Sequence, residues 1–593
     1  MFKLVTLATT AAMAVTISGA AERPVSAFSA ETLAALDPTR AGRQACRPDR
    51  AAATRDRRLA MARRYIADTP TGGATPMPLL AAIPRTQVPA GQLGGDARRY
   101  FDQGLLLAYG FNHAGAIRSF REARRLDPGC VMCWWGEALA NGPNINAGMD
   151  DAGNRAALAA LEQAKAALPT LAPEERALIE AQLLRYSAAP GSDRAALDLA
   201  YADAMLAAAA RFPANDDITI LAAEAVMNTS PWNYWTPEKT PLTPRLSQAI
   251  GLVETVIARN PAHPQASHLY IHLMEAAQPA KAEAAADRLV GQAPAILGHL
   301  VHMPSHIYYR TGRYADSMKA NLLAARADEQ YLALVGDDAL YRYGYYPHNV
   351  HFLLTSAQMV GDMDSVMAET KRLRAILDTK TARDLPWVQA IHAAPSFALA
   401  QYAEPAEILA GTQQSSDLAY VEAMRHYARA IAYAELRNNK AFAVEIAAMR
   451  ELETSPAVTA MVGLGFPAPD VIRLATLVAE GRAAHWRGEP MKAVALFEAA
   501  EKIEATIPYN EPPIWYFPVA QSRGASLYSA RRYEDARAAF RKALFEAPND
   551  GWALYGLKMT ETKLGNKAEA AAGDAALKRT WIGDASWLKM RRL

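Results

Sequence analysis

Residues 97–128 read ARRYFDQGLLLAYGFNHAGAIRSFREARRLDP, and the spacing inside this stretch decides the fold. With Pro128 at position 32 of a unit, Gly104 takes position 8, Leu107 position 11, Ala116 position 20, Phe120 position 24 and Ala123 position 27. Steps of three and four keep these side chains on one face of each of two successive helices. Small residues fall where the helices cross and large ones where they interlock. Residues 517–548 repeat the pattern with Gly524, Leu527, Tyr533, Ala536, Phe540, Ala543 and Pro548 at 8, 11, 17, 20, 24, 27 and 32. Residues 474–505 place Gly481, Gly488, Ala493, Phe497 and Ala500 at 8, 15, 20, 24 and 27. Trp134 and Ala138 fit positions 4 and 8 of a unit starting near Val131. Independent fits to one spacing indicate internal repetition.

This is the tetratricopeptide spacing, and it predicts an all-α, right-handed tetratricopeptide-repeat superhelix (an α-solenoid) with an irregular N-terminal leader. A chain of 593 residues exceeds one ordinary core, but a solenoid escapes that limit because each unit packs only on its neighbours. The expected divisions are a signal peptide over 1–21, an extended or partly helical leader over 22–95, degenerate repeats over 96–470 and C-terminal repeats over 471–593. Within the degenerate part helices are expected over 194–212, 243–259 and 281–291. Two longer loops are expected, Asn228–Pro244 and Val335–Pro347. Loops of that length in a repeat array are often functional.

The N-terminus, MFKLVTLATTAAMAVTISGAAERP, has Lys3 before an apolar run that ends in the small residues Ser18, Gly19, Ala20 and Ala21. It reads as a cleaved export signal ending at Ala20 or Ala21, which implies a periplasmic or secreted protein. No later run is apolar and long enough to predict a transmembrane segment. The cysteines are Cys46, Cys130 and Cys133. In an oxidising compartment Cys130 and Cys133 could form a local disulfide, and a metal pair is the alternative. The histidine that would follow them in a c-type haem site is missing. The net charge of +2 and the lack of Lys/Arg runs exclude a nucleic-acid footprint.

Eight of the twelve histidines lie between His263 and His351. Gly312, at position 15 of its unit, places His299, His302, His306 and Tyr309 at 2, 5, 9 and 12. Gly361 at the same position puts His348 and His351 at 2 and 5, and His268 and His272 fall near 5 and 9 of the preceding unit. These positions lie on the first helix of each unit, which faces the concave groove. Neighbouring helices stand about 8–10 Å apart, so their imidazoles can converge. Crowded neutral imidazoles compete for few acceptors, and a protonated pair repels. A cation satisfies them together, so His268, His272, His299, His302, His306, His348 and His351 are candidate metal ligands. A histidine-lined groove for an anionic or aromatic ligand and a purely structural role are the other readings.

A shell of nitrogen suits copper or zinc and allows iron or nickel, whereas calcium and magnesium need oxygen. Seven imidazoles exceed the three or four of a mononuclear site, which favours two ions, with copper first. The nearby carboxylates in sequence are Glu275, Glu224 and Asp316; Glu275 is the candidate base for a competing zinc hydrolase, although no HExxH is present. Tyr309 is a second candidate catalytic residue. Met274 and Met303 could soften a copper site or merely pack. Asn144, Asn146, Trp232, Tyr234, Trp235 and Tyr346 are candidate substrate-binding residues, because their loops carry amides and aromatics toward the groove. His113 at position 17 reads as structural, and His392, His426 and His485 stand apart.

Several stretches resemble a group of large bacterial exported tetratricopeptide-repeat proteins. They are Phe111-Asn112-His113, Cys130-x-x-Cys133-x-Trp135-Gly136, Gly142-Pro143-Asn144-Ile145-Asn146, His302-Met303-Pro304-Ser305-His306-Ile307-Tyr308, Pro347-His348-Asn349-x-His351-Phe352 and Pro512-Pro513-x-Trp515-Tyr516. The resemblance covers about residues 95–580 and implies the helical solenoid without implying an activity. The leading expectation is an exported copper-dependent oxidoreductase acting on a small molecule or peptide in the groove. The others are a protein- or peptide-binding scaffold, a metal storage or delivery protein, and a zinc hydrolase.

Overall fold

The computed structural model describes residues 28–36, 76–336, 338 and 341–593. The expected signal peptide, most of the expected leader and Cys46 lie outside the described residues. What is described is helical, with no strand beyond an isolated bridge between Trp235 and Pro241. Among the described residues no helix is long and apolar enough to cross a membrane.

The chain is an all-α solenoid of tetratricopeptide type. The helices Gly95–Tyr109 and His113–Leu126 form the first pair, and Val131–Asn141 with Asp151–Lys165 the next. The register has a steric cause. A Cβ on Gly104 would stand 2.8 Å from the Phe120 ring, and one on Gly136 in the next unit would stand 2.5 Å from it. The position-24 ring thus fills the space left by glycines on both sides, and it is fully buried. The same contact recurs around Phe540, between Gly524 and Gly556.

The expected central helices occur as Arg194–Arg211, Pro244–Arg259 and Glu283–Gln292. One expected loop is largely absent. Helix Tyr314–Val335 ends at Gly336, and Tyr341–Tyr345 form a π-helical turn that runs straight into helix Tyr346–Val360. Pro347 is tolerated there because a first-turn N–H has no intrahelical partner to lose. The helix carrying His299 to Tyr309 is interrupted instead, as Gly298–His302 and Pro304–Arg310 with Met303 between them.

Two returns of the chain close the superhelix on its centre. Residues 76–94 lie across the first units: Leu80 N–H donates to Gln103 (2.7 Å), Gln87 N–H to Asp217 (2.5 Å) and Gly91 N–H to Glu175 (2.6 Å). At the other end the C-terminal units come back to the helix that bears His348. Trp552 Nε1–H donates to the Gln358 carbonyl at 3.3 Å, and Ile582 N–H to the Val360 carbonyl at 3.0 Å. This return brings the segment Ile507–Pro518 onto the inner histidines.

Candidate metal centre

Six of the seven candidate imidazoles sort into two triplets, His268/His272/His299 and His302/His306/His348, with the donor atoms of each triplet within 4.8 Å of one another. In the second triplet His302 Nε2 stands 2.8 Å from His306 Nε2 and 3.2 Å from His348 Nε2. Nitrogens held tetrahedrally at about 2.0–2.1 Å from one ion are about 3.3 Å apart, so the His302–His348 spacing suits donors on a common ion. The shorter His302–His306 spacing is that of a hydrogen bond and would open by about half an ångström on metal binding.

The tautomers follow from what stands behind the rings. Asn321 donates its amide N–H to the Ser317 carbonyl (2.8 Å), which leaves its oxygen to accept from His302 Nδ1 at 2.6 Å. Nδ1 of His302 therefore carries the proton and Nε2 a lone pair. His306 Nδ1–H donates to Glu511 Oε2 at 2.6 Å, and Glu275 Oε2 lies 2.7 Å from the same nitrogen. In the first triplet His268 Nδ1–H donates to Gln265 Oε1 (2.8 Å) and His272 Nδ1–H to Glu275 Oε1 (2.9 Å). The Nε2 atoms of His268 and His272, and both ring nitrogens of His299, are buried with no hydrogen-bond partner. An acceptor behind each ring and a lone pair in front is how proteins orient metal-ligating histidines.

The triplets are neighbours. His272 and His306 have ring centroids 6.0 Å apart, and His299 and His302 6.2 Å. Glu275, itself fully buried, stands behind one ring of each triplet. Aromatic rings seal the pair. Phe111 packs on His268 and His299 with centroids at 4.9 and 5.1 Å, and Phe352 on His302, His306 and His348 at 5.0–5.3 Å. His268, His272, His299, His302 and His306 are each at most 5% exposed, and His348 is half-buried.

Burial, reinforced by neighbouring imidazoles, holds His268, His299, His302 and His348 well below the usual histidine range. Burial also lowers His272 against the pull of Glu275. His306 is the exception. Burial alone would lower it, but Glu275 and Glu511 outweigh that and push it up to about 10. Without a metal, His306 is the imidazolium that balances Glu275, and its second proton occupies the 2.8 Å gap to His302. A metal ion would take that proton's place.

The remaining candidates fall in different places. His351 is turned away and shares a 2.7 Å hydrogen bond with the Tyr516 hydroxyl. Tyr309 sits behind Phe352, packed on that ring and on Tyr314 with centroids at 5.6 and 5.0 Å. Both oxygens of Glu275 face imidazole Nδ1 atoms, so it stands behind the ligands instead of beside a substrate. Asp316 pairs with Arg313 on the surface, and Glu224 accepts from Gln265 Nε2 at 3.2 Å behind His268. Met274 and Met303 are buried in the core.

Of the loop residues, Trp232 meets His272 edge-on at 5.1 Å and donates Nε1–H to Asn146 Oδ1 at 3.1 Å. Asn144 fastens its own turn by accepting from the Asn146 and Ala147 N–H groups, and its amide contacts His113 Nε2 at 3.1 Å. Trp235 donates to the Leu273 carbonyl at 2.6 Å, and both Trp235 and Tyr234 are buried. Tyr346 donates outward to Glu329 (2.6 Å), and it is Tyr345 that reaches the site, edge-on to His299 at 5.0 Å. Cys130 and Cys133 are joined as a disulfide at the start of helix Val131–Asn141. Sequence reasoning missed Gln265, Asn321, Phe111, Phe352 and Glu511. The quoted Phe111-Asn112-His113 and His351-Phe352 stretches contained two of them.

No protein-family model and no curated protein matches the chain. Solved structures similar to it include the human IFIT1 dimer with m7Gppp-AAAA, at 13% identity over 82% of this chain and 96% of that one, with a TM-score of 0.32. The P58(IPK) TPR domain matches at 11% identity over 80% and 99% of the two chains, TM-score 0.21. The APC/C hetero-tetramer Cut9-Hcn1 matches at 12% over 82% and 90%, TM-score 0.20. At these scores the likeness carries no functional argument.

Proposed function

We propose that the chain is an exported metalloprotein in which the two histidine triplets hold a pair of copper ions, and that it is an oxidoreductase acting on a small molecule. One observation carries this reading: imidazoles from three successive repeat units bring their ring nitrogens together in two adjacent triplets, with a hydrogen-bond acceptor behind four of the rings. Neutral imidazole shells suit copper, zinc, iron or nickel. Two neighbouring ions that change valence could move electrons in pairs, which a pair of zinc ions could not.

Hydrolysis is less well supported, because it needs a base beside the metal-bound water. Glu275 and Glu511 are both committed to His306 from behind. The Cys130–Cys133 disulfide suits the oxidising compartment that the N-terminal sequence implies. The aromatic seal limits access to small molecules or to a ligand that displaces the Trp232 ring, which is 39% exposed.

The test is metal analysis of untagged protein loaded with copper and freed of excess by gel filtration. Two equivalents per chain, with a cupric resonance signal far below the copper content because the ions are spin-coupled, is the expected result. Less than half an equivalent, with melting unchanged by copper or zinc, refutes the reading.

A further inference from the structure

Between the segment Ile507–Pro518 and the helices Pro304–Arg310, Tyr314–Val335 and Tyr533–Glu546 lies a cavity of about 330 Å³. It shares a wall with the metal centre. Glu511, which lines it, bonds His306 on its far side, and Tyr516, which also lines it, bonds His351. The volume suits a molecule of amino-acid size rather than a folded partner.

Its charged lining consists of Arg310, Glu504, Glu511 and Glu546. Arg310 is already engaged: it donates to the Glu275 carbonyl at 3.2 Å, lies 3.9 Å from Glu511 and stacks over Tyr509 at 5.5 Å. Glu511 is held by His306. The other two carboxyls are poorly answered. Glu504 receives only the Val519 N–H, split between its oxygens at 3.2 and 3.3 Å. Glu546 Oε1 is 3.7 Å from Lys542, which sits closer to Glu501, and Glu546 Oε2 is buried without a partner. Burial and then the charge of Glu546 push Glu504 well above the usual carboxylate range, and Lys542 is the cation nearest the pair.

The remaining wall is aromatic, with Tyr314, Trp515 and Phe517 among its side chains. Ring faces attract cations once water is excluded. Two buried donors in this wall, the Tyr314 hydroxyl and the Trp515 indole N–H, also lack partners, and the residues are 1% and 5% exposed. An oxygen on a ligand would complete them.

We propose that this cavity binds a small organic ammonium ion, its charged group against Glu504 and Glu546 and its apolar or aromatic body along Tyr314, Trp515 and Phe517. Resting on the reading of the histidine triplets as a copper pair, it places an amine-binding site next to that centre, separated from it by Glu511 and the His306 ring.

The experiment is calorimetric titration of the full, copper-loaded chain with phenethylammonium and, separately, with the similarly shaped anion phenylpropanoate, with copper content measured on the same samples. The cation is expected to bind about tenfold or more tighter than the anion. Glu504→Gln combined with Glu546→Gln is expected to weaken cation binding about tenfold or more while copper content stays that of the unaltered chain. Should the double variant not fold, Glu546→Gln alone takes its place, with circular dichroism as the check. Equal binding of anion and cation, or unchanged cation binding in the variant, overturns the amine site. Cation binding by a chain that holds no copper would leave this site standing and remove the copper reading.

Discussion

Among the described residues Glu275 is the one side chain within hydrogen-bonding distance of a ring nitrogen in each triplet, so replacing it by glutamine should weaken both metal positions at once. Its Oε1 accepts from His272 Nδ1 at 2.9 Å and its Oε2 lies 2.7 Å from His306 Nδ1. An amide of the same shape can keep one of these contacts through its oxygen, but its NH2 then faces an N–H on the other side. The negative charge that raises the basicity of both rings is also lost. Removing such a partner typically costs 10- to 100-fold in metal affinity, about 1.4–2.7 kcal/mol. Here the loss applies at two positions, although Glu511 still holds His306 and should keep the second triplet nearer the lower figure. Single-triplet controls exist: Gln265→Leu removes the acceptor behind His268, and Asn321→Leu the one behind His302. The assay is competition with a chromophoric copper chelator at neutral pH, which resolves two affinities per chain, with circular dichroism to show the variants folded. Glu275→Gln should lower both affinities, and each control only one. If Glu275→Gln leaves either affinity within about twofold of the unaltered chain, the shared-carboxylate reasoning is refuted.

Alanine at His302 or His348 should each remove one ion per chain, and alanine at His268 the other, whereas alanine at His351 should remove none; elemental analysis of loaded protein decides it. Buried carboxyls give the fold a pH dependence: burial pushes Asp328 up to about 8 and Asp550 and Glu224 up to about 7. Because these folded-state values exceed those of the unfolded chain, their contribution is fully present below about pH 4 and is lost as pH rises through 7–8. The site histidines held below their usual range act with the opposite sign, gaining stability as pH rises toward the unfolded histidine value, so the carboxyl effect is read as a difference. Between pH 5 and 8 the melting temperature of metal-free Asp328→Asn should rise relative to that of the unaltered metal-free chain. A constant difference between the two chains across that range would contradict the assignment. Gly136→Val should cost about 1–3 kcal/mol or more in chemical denaturation, because its side chain would enter the Phe120 ring, whereas Gly251→Val, in open space, should cost about 1 kcal/mol or less.

The repeat was legible in the sequence because its cause is local. A glycine at position 8 and a phenylalanine at position 24 meet across sixteen residues, and the pattern survives wherever that contact is made, as at Gly104 with Phe120 and Gly524 with Phe540. The histidine faces were legible for the same reason, since steps of three and four on one helix need no knowledge of the rest of the chain. What the spacing could not supply was phase and distance. His348 and His351 share a helix, but the rotation of about 60° between them turns His348 toward His302 and His351 toward Tyr516. The π-helical turn before Tyr346 shifted the aromatic register by one residue, so Tyr345 faces His299 in place of Tyr346. Glu511 was beyond reach altogether: it arrives from 205 residues away because the superhelix returns on itself, and no periodicity encodes that closure.

The geometry of the six rings also bears on why the centre exists at all. A buried imidazole with one nitrogen bonded and the other bare forgoes a hydrogen bond, a cost of about 1–3 kcal/mol for each orphaned group. His268 and His272 each leave Nε2 bare, and His299 leaves both nitrogens bare. Packing offers no return for this arrangement, since aliphatic side chains of similar volume would fill the same space without it. Water answers this only in part: it can donate to two rings while His299 turns its own N–H to the oxygen, but that leaves the other His299 nitrogen bare. The second triplet solves the same conflict with a proton on His306, held there by two carboxylates that had to be buried for the purpose. The first triplet has no such proton source, since burial and its neighbours hold His268 and His299 neutral. A cation is the species that answers all three nitrogens of that triplet together, and the acceptors behind His268 and His272 are placed as a cation would require.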